Sequence, residues 1–303
     1  MKPILVVGSI NMDLVARTHS IPRPGETVTG TGFDTTPGGK GANQAVAAAR
    51  LGYPTKMVGK VGEDVFGQAL IDNLMKADVG VWAVERDTGP SGVAPILVAA
   101  SGENSIVVVP GANGKVDAHY IDRNSELIRG AGMVLLQLEI PMPAIERTLA
   151  ICAESNVPAI LDPAPAAVLP PAIFPRVAWL TPNETEAAFY TGGEAAPEEA
   201  ARRLLATGAR GVVLKRGADG VYVAEASGRA AAIKAFSVVA VDTVAAGDCF
   251  NGAFAVALLE GKDPWEAARF ASAAAAVKVT RRGAQAAMPT RAEVDAFLAQ
   301  HTA

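Results

Sequence analysis

The chain has 303 residues, of which half are hydrophobic, 19% charged and 5% aromatic, with a formal net charge of -4 at pH 7. So few charges exclude a chain held open by self-repulsion, and the apolar content is enough for a large core. The slight acidic excess argues against nucleic acid as a partner, since such proteins carry a basic surplus, and no run of ~18 apolar residues is available to enter a membrane.

In chain order, Ile4–Val7 reads as a buried first strand, too short for the apolar region of a signal peptide. Asn11 and Asp13 follow it, where a ligand-facing polar pair belongs in an α/β sheet, or where an Asx turn closes the strand. Gly25–Thr36 is extended and rich in Gly and Thr. Gly38-Gly39-Lys40-Gly41-Ala42-Asn43-Gln44 then turns into a helix over Ala42–Leu51. It matches neither GxxxxGK[ST] nor GxGxxG, because Gln44 stands where a third Gly is needed. A strand at Lys56–Val58 and a helix at Val65–Lys76 come next. Strands Pro95–Ala99 and Ser105–Val109 are joined by a turn containing Gly102-Glu103-Asn104, a hairpin pattern. This hairpin and Gly25–Thr36 are expected to form a small β-layer over a ligand site, with an ordinary surface hairpin as the alternative.

Strands are predicted at Val134–Leu138, Ala159–Leu161, Trp179–Leu180, Val212–Lys215 and Val221–Val223. They alternate with helices at Ala144–Ser155, Glu184–Tyr190 and Glu198–Ala206, and helices Gly247–Leu259, Trp265–Val279 and Arg291–Gln300 finish the chain. Such alternation implies a mostly parallel central sheet with helices on both faces. Without repeats or linker-like segments, the chain reads as one domain over 1–303, with lid strands inserted at about 11–40 and 88–110. Glu139 follows one strand, and Asn183 with Glu186 fits a capping box, or alternatively a phosphate and magnesium-water pair. Cys152 and Cys249 match no metal or CxxC spacing, which makes a reducing cytoplasm the expected compartment.

The strongest local pattern is Asp242-Thr243-Val244-Ala245-Ala246-Gly247-Asp248-Cys249-Phe250-Asn251-Gly252, read as the end of a strand running into an Ala-rich helix. Small residues let a ligand approach the backbone, and the free N–H groups of a helix start attract phosphate. Asp248 is then either a first-turn helix acid or a base placed to take a proton from an attacking hydroxyl.

Together GSINMD, PGETVTG, GGKGANQAVAAARLG, QLE at 137–139, DPAPA at 162–166, TPNETEA, DTVAAGDCFNGA and VTRRGAQ span nearly the whole chain. In this order they resemble the PfkB family of carbohydrate kinases, in its ribokinase branch. The resemblance implies a ribokinase-like three-layer sandwich plus a small β-sheet lid, and ATP-dependent phosphorylation of D-ribose at O5. A 2-deoxyribokinase or another pentose or nucleoside kinase is the alternative, and a sugar-sensing scaffold is the non-enzymatic one. It further implies Asp248 as base and the amides of Ala245, Ala246 and Gly247 as an anion hole. Asn11, Met12, Asp13, Gly39, Lys40, Gly41, Ala42, Asn43 and Glu139 would line the sugar site. Asn183, Lys215, Arg216, Gly217, Ala218, Asp219, Gly220, Gly247, Asp248 and Ser272 would meet ATP, and Glu186 would hold magnesium through water. A monovalent cation such as potassium would sit on Asp242, with backbone oxygens of Val244, Lys278, Arg281 and Gly283 and the position of Ala287. The lid strands would pair between two subunits as a homodimer. Three positions depart from the family pattern: Ala287 stands where Ser is common, Ser272 where His or Asn is common, and Met12 where Ala is common. Met12 would either favour a 2-deoxy sugar or point into the core, and Cys249 is expected to pack without reacting.

Overall fold

Ile4, Leu5, Val6 and Val7 are all fully buried, as expected of a strand covered on both faces. In the computed structural model, which describes residues 1–301, they form β1 (Ile4–Val7). The chain continues through β2 (Asn11–Thr18), β3 (Gly32–Gly38), α1 (Lys40–Arg50), β4 (Thr55–Gly62), α2 (Val65–Lys76), β5 (Val79–Asp87), β6 (Gly92–Ala99) and β7 (Asn104–Ile106). Then come α3 (Ala118–Arg123), α4 (Ser125–Gly130), β8 (Met133–Leu136), α5 (Met142–Glu154), β9 (Ala159–Leu161), β10 (Trp179–Leu180), α6 (Glu184–Thr191) and α7 (Pro197–Leu205). The last part holds β11 (Gly211–Lys215), β12 (Val221–Glu225), β13 (Ala230–Ile233), α8 (Ala246–Leu259), α9 (Pro264–Val279) and α10 (Arg291–Gln300).

The nine-stranded sheet runs β13-β12-β11-β10-β9-β8-β1-β4-β5. It is parallel from β5 to β11 and antiparallel only at β11–β12 and β12–β13. Alternate residues of β1 feed opposite cores. Ile4 and Val6 pack with α1, α8 and α9, and Leu5 and Val7 pack with α3, α5 and α7. The result is the expected three-layer sandwich, with its ligand-facing side at the carboxyl ends of the parallel strands.

A separate four-stranded sheet runs β3-β2-β6-β7. Its β6–β7 hairpin pairs Val98 with Asn104, around the predicted turn. β2 and β6 lie parallel, Asn11 opposite Gly92, although 80 residues separate them in sequence. Two strands escaped the sequence reading, β5 and β13, while β2 lies inside the lid segment expected at about 11–40. β13 is Ala-Ala-Ala-Ile, whose small side chains give no strand signal. The segment before Asp242 is not a strand, contrary to expectation; residues 234–245 form an irregular loop tied to α9 by Val241 and Asp242 N–H groups donating to Val279 O (2.7 and 3.1 Å). Ser105–Val109 also shortens to β7, with Val109 meeting Val93 only as an isolated bridge.

Candidate active site

Two helix starts face each other where the sheet ends. Gly39, at φ 87, caps α1 in a backbone region that residues with a Cβ rarely adopt, and so turns β3 directly into the helix. Helix α8 starts at Ala245, also left-handed at φ 59, and crosses α1 at Gly252. A Cβ there would lie 2.8 Å from both Ala47 Cβ and Gln44 O, so only glycine lets the two helices come this close. The crossing places Asp248, in the first turn of α8, against Asn43 and Gln44 of α1. Asn43 Nδ2 donates to Asp248 Oδ2 at 2.9 Å, and Gln44 Nε2 donates to Oδ1 at 3.1 Å. Asp248 is therefore held from the neighbouring helix and does not cap its own.

Asp248 is only 5% exposed, and burial pushes its carboxyl up to about 6, helped by Asp162 and opposed by Lys40, Asn43 and Gln44. Lys40 is half-buried, but Asp248, Asp162, Glu139 and Glu186 outweigh that cost and raise it, so it stays charged. Across from it, Asp13 is pushed up to about 7 by burial and then by the charges of Glu139 and Asp248. Three carboxylates close enough to disturb one another, with one half-buried lysine among them, have the electrostatics of a site that handles protons.

Around this centre the structure brings most of the predicted residues together. Glu139 accepts hydrogen bonds from Ser9 Oγ (2.5 Å) and Lys40 N (3.1 Å), so it braces the start of α1. The buried Asn11 accepts from Asn113 Nδ2 at 2.7 Å, which fixes its amide. Gly41 and Ala42 are packed against the β1–β2 turn, with Gly41 N donating to Ser9 Oγ (3.2 Å) and Ala42 N to Ser9 O (2.9 Å). Met12, between Asn11 and Asp13 in β2, is 4% exposed and lies in the apolar core.

A cavity of about 650 Å³ opens beside Asp248. Lys40, Asp162, Asn183, Glu186 and Lys215 line its polar end, with Gly217, Ala218, Gly220 and the backbone of Ala245, Ala246 and Gly247. Phe236, Val238, Ala275 and Val279 line its apolar end, together with Ser272, whose hydroxyl is buried without a partner. Neither Asp13 nor Glu139 lines this cavity, whereas Asp248 and Lys40 do. Gly217, Ala218 and Asp219 form a single helical turn closed by Gly220. Arg216 turns toward Glu184 and Asp219, at 3.5 Å from each, and Arg281 pairs with Glu293 at 2.7 Å. At the start of α8, Ala246 N already donates to Thr243 O (3.2 Å), whereas helix geometry leaves Gly247 N–H without an intrahelical acceptor.

Sequence reasoning missed Asp162 and the amides behind it. Lys215 Nζ donates to Asp162 Oδ1 (2.9 Å), Gln44 Nε2 to Asp162 Oδ2 (3.1 Å), and Gln137 Nε2 to Gln44 Oε1 (2.7 Å). Asp162 thus connects the lysine over the α8 start to the residue that holds Asp248. Its only local signal was a polar residue directly after a buried strand.

Two implied metals were tested against these residues. Glu186 accepts from Asn183 N (2.8 Å) and Asn183 Nδ2 (3.0 Å), completing the capping box, and still lines the cavity. Burial raises it, and Asp162 adds to that. Among the described residues no cluster of His, Cys, Asp and Glu could hold a bare metal, so magnesium fits only as a companion of the nucleotide. The potassium site does not fit. Both carboxylate oxygens of Asp242 are already turned inward to Val244 N (2.9 Å) and Gly283 N (2.8 Å), and Ala287 has no side-chain oxygen to offer an ion. Lys278, expected to supply a backbone oxygen, instead drives its own ammonium onto the Asp242 carbonyl at 2.9 Å.

The chain matches the model of the pfkB family carbohydrate kinases over residues 1–291. It is 44% identical to a ribokinase of Bacillus subtilis, over 98% of this chain and all of that protein. A deoxyribokinase of Salmonella typhi is 34% identical over 97% of this chain and 98% of its own. Among solved structures, Arabidopsis thaliana ribokinase complexed with ribose and ATP superposes with a TM-score of 0.92, at 36% identity and 98% coverage of both chains.

Proposed function

The chain belongs to the pfkB family of carbohydrate kinases, and on that premise we propose that it transfers the γ-phosphoryl group of ATP to the 5-hydroxyl of D-ribose. The observation that carries this is Asp248, a buried carboxylate that lines a nucleotide-sized cavity and stands close enough to Asp13 for their charges to interact. Asp13 and Asn11 accept and donate to the sugar hydroxyls, and two carboxylate oxygens suit two neighbouring hydroxyls. Asp248 takes the proton of the attacking hydroxyl as the new O–P bond forms and the bond to the ADP oxygen breaks. Gly247 N–H and the start of α8 hold the transferring oxygens, and Lys215 Nζ, 3.3 Å from where a Gly247 Cβ would stand, neutralises their charge. Asn183 and Glu186 would hold magnesium that comes with the nucleotide, which would supply charge neutralisation at the phosphates, and Ser272 with the apolar lining would meet the base. No free potassium ion enters this reading.

The four-stranded sheet serves as the lid. Phe33, Ile106, Val107 and Val108 expose large apolar surface on and beside its outer strands, which supports pairing of two copies through it. No helix among the described residues is long and apolar enough to cross a membrane. Both cysteines are free and buried, which suits a reducing cytoplasm, where we place the reaction. Comparison of kcat/KM for ribose, 2-deoxyribose, fructose and a nucleoside tests the substrate. Ribose should lead, and a preference for any of the others overturns the assignment.

A further inference from the structure

Lys278 lies in the last turn of α9 and is completely buried, with no surface at all. Carrying an ammonium group into the interior is costly unless carbonyl and carboxylate oxygens receive it. Here its Nζ donates to Asp242 O at 2.9 Å and stands 4.0 Å from Asp242 Oδ1. Burial lowers its proton affinity on balance, and the Asp242 and Asp248 carboxylates oppose that shift. The C-terminal end of a helix favours a cation as well.

What Lys278 grips is the segment that shapes the phosphate-binding turn. Asp242 Oδ1 accepts from Val244 N (2.9 Å) and its Oδ2 from Gly283 N (2.8 Å). Val244 leads directly into Ala245, whose left-handed backbone starts α8 and presents Gly247. One positive charge therefore gathers the carbonyl and the carboxylate of Asp242, and through them the loop. We infer that the Lys278 ammonium is a tethered monovalent cation that holds residues 242–247 in their anion-binding shape, so that the enzyme works without a free potassium ion. The inference rests on the kinase reading of the Asp248 site. It makes Lys278 a positioning residue that acts through Asp242 and touches no substrate.

The experiment compares the wild type, Lys278→Ala and Lys278→Met in tetramethylammonium chloride and in potassium chloride at equal ionic strength, by ribose-dependent ADP formation and by thermal unfolding. Wild-type turnover and melting temperature should be the same in both salts. Lys278→Ala opens space for an ion: in tetramethylammonium its turnover should fall ~100-fold, the scale of losing an oxyanion-hole donor. Potassium should restore at least a tenth of wild-type activity and raise its melting temperature. Lys278→Met, which refills the space with an apolar chain, should be as slow in either salt. Strong potassium activation of the wild type, or a Lys278→Ala enzyme as active as wild type without potassium, overturns the inference. If Lys278→Ala does not fold, the wild-type comparison still decides. If ribose is not phosphorylated at all, the substrate assignment fails, while the melting temperatures in the two salts still judge the tethered cation.

Discussion

Replacing Asp248 by Asn separates the charge of this residue from its shape. Its carboxyl is displaced from an ordinary 3.8 to about 6. At ~1.4 kcal/mol per pH unit, holding it ionised costs the fold on the order of 3 kcal/mol. The folded protein binds this proton more tightly than the unfolded chain does. The cost is therefore absent below 3.8, grows through the interval, and is complete above about 6. The Asp248→Asn variant escapes it at every pH. Against that gain, the carboxylate accepts from both Asn43 Nδ2 and Gln44 Nε2, and an amide has only one oxygen for two donors. The mismatch costs ~1–3 kcal/mol, independent of pH. Urea unfolding of both proteins reads the two effects apart: between about pH 5 and about pH 8 the variant should gain ~1.5 kcal/mol on the wild type, around a constant offset. Turnover should fall by ~10²–10⁴ through loss of the base. Stabilities that keep a constant difference across this range would refute a buried charged Asp248, and near-normal turnover would refute its role as base.

Three further outcomes follow from the same geometry. Because both Asp13 and Asp248 must be ionised, kcat/KM for ribose should rise with pH through inflections at about 6 and about 7, and a flat profile there would contradict their raised proton affinities. Asp13→Asn should raise KM for ribose ~10-fold or more with a smaller change in kcat, as expected of lost charged hydrogen bonds to substrate; initial-rate kinetics showing only a kcat loss would place Asp13 elsewhere in the reaction. Gly252→Ala forces a methyl group to 2.8 Å from Ala47 Cβ and Gln44 O. It should cost ~1–3 kcal/mol in a urea titration and slow turnover as α8 carries Asp248 away from Asn43; an unchanged enzyme would mean that the helix crossing is not tight.

The body of the fold was legible because its strands are local objects. Ile4–Val7, Ala159–Leu161 and Trp179–Leu180 are apolar runs whose burial on both faces needs no alternation, and their limits agree with the sequence reading. The two glycine-rich helix starts were legible too, since free N–H groups and close backbone approach are written in Gly, Ala and Asp at fixed spacing. The capping box of Asn183 and Glu186 is likewise local, three residues apart. What the sequence left open depends on partners distant along the chain. β2 carries Asn11 and Asp13 out of the body because it pairs with β6, and that register exists only once both strands are placed. Asp162 looks like any polar residue after a strand until Lys215 and Gln44 arrive from elsewhere and make it a hub. Lys278 is the clearest case. The family resemblance implied that it supplies a backbone oxygen to an ion, but packing buries its side chain completely and leaves the Asp242 carbonyl within its reach. A short-range pattern determines which backbone a segment prefers; the energy of a buried charge depends on every group around it, and only the folded chain decides which groups those are.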